Sequence, residues 1–291
     1  MKSIIQHLRF PFSFLLMPVF LFSLFLTNPE VVIPYRLYLL FIILHFLVYP
    51  SSNAYNSTQD KDEGSVGLIK HPLPVHKNLL FITYFFDGIS IALAFLINYQ
   101  TALLIGLYIY ASRLYSYRKV RLKQYPIIGF ATVFLCQGAL VYFIVQTAFN
   151  PDFIFSPYLE YHLFAAFIAS LFIGSIYPLS QIYQHDQDRK DNVNTISAML
   201  GYRGTFLFSG FQFIIASIMV WYVFKYDVHP QPYFIIYSLC QLPVITFFLY
   251  WFYKVMKDNA EANYKNTMYM NIISAVCMNA CFAILLTQSG C

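Results

Sequence analysis

Two polar, acid-bearing segments hold most of the side chains in this 291-residue chain that could do chemistry: SNAYNSTQDKDEG at Ser52 to Gly64 and QIYQHDQDRKDN at Gln181 to Asn192. Of the thirteen Asp and Glu residues, Asp60, Asp62, Glu63, Asp186, Asp188 and Asp191 crowd into them. Asn56 and Asp60 are four residues apart, and Gln184 and Asp188 repeat that offset. On a helix it stacks two oxygen-bearing side chains one turn apart on one face, where both can point at a common ion. Oxygen donors suit Mg2+, which keeps waters and bridges to substrate phosphates. A basic stretch, YSYRKVRLK from Tyr115 to Lys123, offers Arg121 as a fork and Lys123 as a point charge for one anion. The three segments together suggest a diphosphate clamp. Each alone is also what a solvated loop or a lipid-headgroup anchor looks like.

The elements that must position these residues are membrane helices. The composition is 59% hydrophobic, 20% aromatic and 11% charged, far from the balance of a soluble domain. Nine apolar stretches are expected to span: Phe10 to Leu26, Ile33 to Val48, Asn78 to Ile97, Gln100 to Tyr115, Pro126 to Thr147, Tyr161 to Tyr183, Phe206 to Phe224, Gln231 to Val255 and Thr267 to Leu286. Continuous apolar runs imply helices rather than a barrel. With this topology every Lys and Arg except Arg36 and Lys225 falls on one side, which is then cytoplasmic and holds the amino terminus, the carboxyl terminus lying opposite. The net charge of +5 thus reports topology and calls for no nucleic-acid partner. Four crossings separate the acidic segments, so both return to the cytoplasmic face. Their shared offset suggests two four-helix repeats followed by a ninth helix. The chain reads as one polytopic membrane domain over residues 1–291, with cytoplasmic motif loops at 51–77, 116–125 and 184–205, in the plasma (inner) membrane of a bacterium, with no obligate protein partner.

Other features are weaker. Cys136, Cys240, Cys277 and Cys281 fall inside expected spans and read as small apolar residues. His71, His76 and His185 have no HExxH or paired Cys and His spacing around them. Pro72 and Pro74 suggest a cap over the site between the second and third spans, or an irregular connector. Asp87, midway along the third span, either lines a cavity and handles an acceptor or is neutral and hydrogen-bonded to a neighbour. Repeats and a buried acid also fit a secondary transporter, although polar groups gathered at one surface favour an enzyme.

The motifs resemble those of the UbiA superfamily of intramembrane prenyltransferases over nearly the whole chain. That family has nine helices, an NDxxDxxxD motif after the second and a DxxxD motif after the sixth. Ser52, Asn53, Asn56 and Asp60 fall on the first motif, and Gln184 and Asp188 on the second, followed by Asn192 and Thr195. The Tyr115 to Lys123 stretch looks like the YSxxxxxLK element of chlorophyll synthase-like members. The resemblance implies Mg2+-dependent transfer of an isoprenoid group from its diphosphate to an aromatic or other lipophilic acceptor. It implies catalytic roles for Asp60, Asp188, Arg121 and Lys123, metal ligation by Asn56, Asp60, Gln184 and Asp188, and substrate contacts from Asn53, Asn56, Gln184, Tyr115 and Tyr117. Asn53, Asn56 and Gln184 stand where the family has aspartates. Amide oxygens can ligate a hard cation but bring no charge, so Asp62, Glu63, Asp186 and Asp191 are substitutes to consider. An altered or inactive member of the same fold stays open as the alternative.

Overall fold

In the computed structural model, residues 1–27, 29–60, 64–155, 157–226 and 232–289 are described. Lys61, Asp62 and Glu63 of the first acidic segment, and Gln231 at an expected span start, lie outside the described residues. Among the described residues every regular element is helical. In chain order we label α1 (Lys2–Phe25), α2 (Pro34–Asp60), α3 (Leu79–Phe95), α4 (Tyr99–Ser116), α5 (Pro126–Phe149), α6 (Leu159–Lys190), α7 (Ile196–Tyr226), α8 (Tyr233–Lys257) and α9 (Tyr264–Gln288).

Each of the nine expected apolar stretches forms a helix, but length and hydropathy mark seven of these as membrane spans. The exceptions have sequence reasons: α3 has 17 residues, and α4 interleaves Tyr, Gln, Ser and Arg113 among its apolar positions. The outer surface is what a bilayer requires. Phe81, Leu103, Leu207 and Ile235 are 72%, 70%, 65% and 60% exposed, an apolar belt that water would not tolerate. The chain is an integral, multi-pass membrane protein.

Two motif segments differ from their expected form. The first acidic segment is not a loop up to its end, because α2 continues as helix through Asp60. Its polar face is covered: Ser51, Tyr55, Ser57 and Asp60 are buried, against α1, α3 and α4. Buried backbone without water is satisfied most completely inside a helix. Likewise α7 starts at Ile196, not Phe206, and absorbs the change of direction at Gly201, whose φ of 68° a side chain would resist.

Each helix packs on its neighbours in sequence, and α9 packs back on α1, which closes a ring of helices. Phe22 of α1 sits at the junction, its ring 5.2 Å from Phe172 and 5.4 Å from Phe282. Where α5 meets α6, a Cβ on Gly138 would lie 2.3 Å from the Ser170 Cα, so the close approach needs glycine, as small residues commonly provide between membrane helices. A π-turn over Phe134–Leu140 spans that contact, and the Ala139 N–H donates to the Ser170 Oγ at 2.9 Å.

Candidate functional site

Asn53, Asn56 and Asp60 occupy the last turns of α2, the latter two on one face, and all three line a cavity of about 500 Å³ enclosed by the helix ring. The Ser116 Oγ at the end of α4 donates to the Asn56 Oδ1 at 2.7 Å, which fixes the amide with its oxygen engaged. The Asp60 side chain, 3% exposed, takes an ion pair from the Lys123 Nζ and a longer one from the Arg121 Nη2 at 3.5 Å.

The basic turn has a backbone reason for reaching Asp60. The Tyr117 carbonyl accepts from the Val120 and Arg121 N–H groups at 2.9 and 2.6 Å and ends α4. Arg121 then adopts a left-handed conformation (φ 45°), followed by a 3-10 turn over Leu122–Gln124. That reversal turns both cations towards α2. The turn is pinned behind by Gly129, where a Cβ would sit 3.0 Å from the Lys123 Cα. Arg121 also joins the second polar segment, donating to the Asp191 carbonyl at 3.3 Å, with the Asp191 carboxylate 4.0 Å away.

That second segment is built differently. After Gln181 the regular turns of α6 give way to a 3-10 turn over Ile182–Gln184 and a last short helix, His185–Lys190. Gln184 and Asp188 line the same cavity as Asp60. The Gln184 Nε2 donates to the Ser65 carbonyl at 3.4 Å, and the Asp188 carbonyl accepts from the Val193 N–H at 2.8 Å. His185 stacks on Tyr202 at 4.8 Å and bonds the Ser197 Oγ at 2.8 Å, a packing role.

Of the sequence-derived residues, Asn53, Asn56, Asp60, Tyr115, Lys123, Gln184 and Asp188 therefore meet at one cavity. Arg121 reaches it through Asp60. Tyr117 does not line it, its side chain being 37% exposed beyond the end of α4. Tyr55 is turned away under the Arg113 guanidinium, 4.3 Å from the ring centre. Asp186 and Asp191 are exposed and do not line the cavity, so neither replaces the missing aspartates from inside. Asp87 does not line the cavity. The Arg113 Nη2 lies 2.5 Å from its Oδ2, and the Ser51 Oγ donates to its Oδ1 at 2.6 Å. A basic partner from α4 and a hydroxyl from α2 answer its burial.

Several lining residues escaped sequence reasoning. The Tyr177 hydroxyl is 2.6 Å from that of Tyr115 and accepts from the Gln181 Nε2 at 2.7 Å. Tyr177, Gln181 and Gln184 fall at helical spacing on the inward face of α6, a periodicity that was available as a signal. Arg9, 7% exposed, lines the cavity and donates to the Ser57 Oγ at 2.6 Å; in the sequence it reads as a topology charge. The 65–77 segment does form a cover: the Gly67 N–H donates to the Tyr183 hydroxyl at 3.1 Å, and Leu73 and Pro74 bond back to α1 through Gln6 and Ser3.

A hard cation is compatible with this donor set, since Asn56, Asp60, Gln184 and Asp188 offer oxygens from both sides of one cavity. With no group of three or more His, Cys, Asp or Glu among the described residues, such an ion would draw its remaining ligands from water and from the substrate.

Comparison with known proteins agrees with this picture. The model of the UbiA prenyltransferase family matches residues 15–273. Among solved structures the chain is similar to one of digeranylgeranylglyceryl phosphate synthase, at 15% identity over 99% of this chain and 98% of that one, with a TM-score of 0.64. It is similar to a UbiA homolog from Archaeoglobus fulgidus bound to DMAPP and Mg2+, at 18% identity over 97% of this chain and 99% of that one, with a TM-score of 0.66. The same homolog bound to GPP and Mg2+ gives equal values. At these identities the likeness is one of fold. No curated protein matches the sequence.

Proposed function

We propose, from the premise that this chain belongs to the UbiA prenyltransferase family, that it transfers an isoprenoid group from its diphosphate to a lipophilic acceptor inside the helix ring. The observation that carries this reading is the meeting of Asp60, Asp188 and Lys123 at one end of a cavity whose far walls carry only apolar and uncharged polar side chains. The solved UbiA homolog from Archaeoglobus fulgidus, bound to DMAPP or to GPP with Mg2+, supports the same ligand class. The reading includes nine crossings in one polytopic domain, α3 and α4 among them, with the amino terminus and the clamp cytoplasmic in a bacterial inner membrane.

In the proposed reaction the bond from C1 of the isoprenoid to the diphosphate oxygen breaks, and the electron pair leaves with the diphosphate. C1 bonds to the acceptor, which gives up a proton. Lys123 and Arg121, held by Asp60, stand where negative charge builds on the departing group, an electrostatic contribution to catalysis. When bound between Asn56, Asp60, Gln184 and Asp188, Mg2+ supplies further positive charge there. The Tyr115 and Tyr177 rings border this end of the cavity and can shelter the cationic carbon while excluding water. Amides at Asn53, Asn56 and Gln184 favour one further reading, an altered site with weaker metal affinity.

Incubation of purified protein with geranyl diphosphate, Mg2+ and a neutral aromatic acceptor such as 2-naphthol tests the proposal. Release of inorganic diphosphate and protection against thermal unfolding are expected. Neither occurring would overturn it; protection without release would select the altered site.

A further inference from the structure

The cavity has a second set of hydrogen-bonding groups, away from the clamp. Ser209 of α7, Gln241 of α8 and Ser274 of α9 line it beside Val244 and Phe248. Ser209 and Gln241 are 1% and 2% exposed. The Ser209 Oγ, the Gln241 Oε1 and the Ser274 Oγ are buried with no hydrogen-bond partner, and the Gln241 Nε2 donates to the Met278 Sδ at 3.0 Å, a weak acceptor. Inside a bilayer no bulk water reaches such groups. Buried polar atoms normally have partners, so three orphans on one cavity wall point to a ligand that satisfies them.

Charge and position define that ligand. The charged residues lining the cavity are Arg9, Asp60, Lys123 and Asp188, all at the clamp end or on its cover. The wall of Ser209, Gln241 and Ser274 is therefore neutral, and a carboxylate buried there would have no counter-ion. Tyr264, where α9 begins, packs on Tyr183 of the second polar segment with ring centres 5.3 Å apart. At the helical rise per residue, Ser274 lies about 15 Å further in. Part of that span is taken by a diphosphate at the clamp, and what remains suits a molecule of one or two rings.

We propose that Ser209, Gln241 and Ser274 form an uncharged subsite for the hydroxyl or carbonyl oxygen of a neutral lipophile, the acceptor of the transfer. The two hydroxyls can donate or accept, and the amide oxygen accepts from an O–H. The oxygen sits at this wall and the reacting atom points to the clamp. The assignment rests on the prenyl-transfer reading for the word acceptor, though not for the binding site.

Binding of 2-naphthol and of its anionic counterpart 2-naphthoate to the purified full chain tests it, with geranyl diphosphate and Mg2+ titrated separately. 2-Naphthol should bind at least about tenfold more tightly than 2-naphthoate, and Ser209→Ala and Gln241→Leu should each weaken it about tenfold, as expected for losing one buried hydrogen bond. Geranyl diphosphate affinity should stay within about twofold in both variants. Equal binding of 2-naphthol by variants and wild type, or equal binding of the two naphthalenes, overturns the proposal. Should Gln241→Leu fail to fold, Ser209→Ala and Ser274→Ala decide it. If wild type takes 2-naphthol in a Ser209-dependent way but no geranyl diphosphate, the subsite stands and the transfer reading falls; the reverse pattern removes the subsite alone.

Discussion

Asp60 on α2 and Asp87 on α3 are both buried acids on apolar helices, and both are held by a basic side chain from a neighbouring element. Around Asp87 both carboxylate oxygens are paired. Arg113 grips both carboxylate oxygens, Ser51 bonds one of them, and the Arg113 guanidinium lies over the Tyr55 ring. All of these partners sit on α2, α3 and α4, and Asp87 does not line the cavity that Asp60 lines. Around Asp60 the partners come from a turn outside the helices, and one flank opens onto the cavity shared with Asp188. An acid among apolar residues therefore has two meanings in this molecule. Where every partner is a helix wall, the pair joins helices; where one side is open, the proposed function has the cations act on a ligand.

The largest expected effect breaks the first case. Asp87→Ala leaves Arg113 buried without its counter-ion and should cost about 3–5 kcal/mol of stability, read as a large fall in thermal melting. Unchanged melting would mean that the pair does not join the helices. At the second site, Asp60→Asn and Asp188→Asn should each lower turnover of geranyl diphosphate about 10²–10³-fold with little change in melting. If either variant instead melts early and turns over normally when folded, the two sites are of one kind.

A sharper contrast comes from replacing whole pairs. Asp87→Leu combined with Arg113→Met should recover most of the stability lost by Asp87→Ala, because a buried ion pair exchanged for apolar residues is often neutral. Lys123→Arg keeps the charge but replaces a point with a fork, and about a tenfold loss in turnover with no melting change is expected. Smallest of all, Gly67→Ala puts a side chain at φ 53°, 3.3 Å from the Arg9 Nη1. It should destabilise the cover by about 1–2 kcal/mol, measured as faster hydrogen exchange over residues 65–73.

Much of the candidate site was legible because its signals are local. The equal offsets of Asn56 with Asp60 and of Gln184 with Asp188 need only helical geometry to be read, and Arg121 and Lys123 stand out as cations two residues apart. The residues that went unread depend on the third dimension. Nothing in the sequence distinguishes Arg9 from the other charges near a helix end, and Tyr117 looks as good a candidate as Tyr115 until α4 ends between them and turns one inward. Asp62 and Glu63 lie outside the described residues, while Asp186 and Asp191 are exposed and off the cavity.

Hydropathy and charge, which act residue by residue, determined by themselves that this is a polytopic helical membrane protein with its acids and bases gathered in three polar segments. What only the tertiary structure decided is which of those charges share a space. Closing α9 onto α1 encloses one cavity, and the left-handed backbone at Arg121 turns a basic stretch back onto Asp60. The Asp87–Arg113 pair joins residues from separate helices whose bases look alike in sequence. Contacts between elements far apart in the chain depend on packing geometry, and no window of sequence contains it.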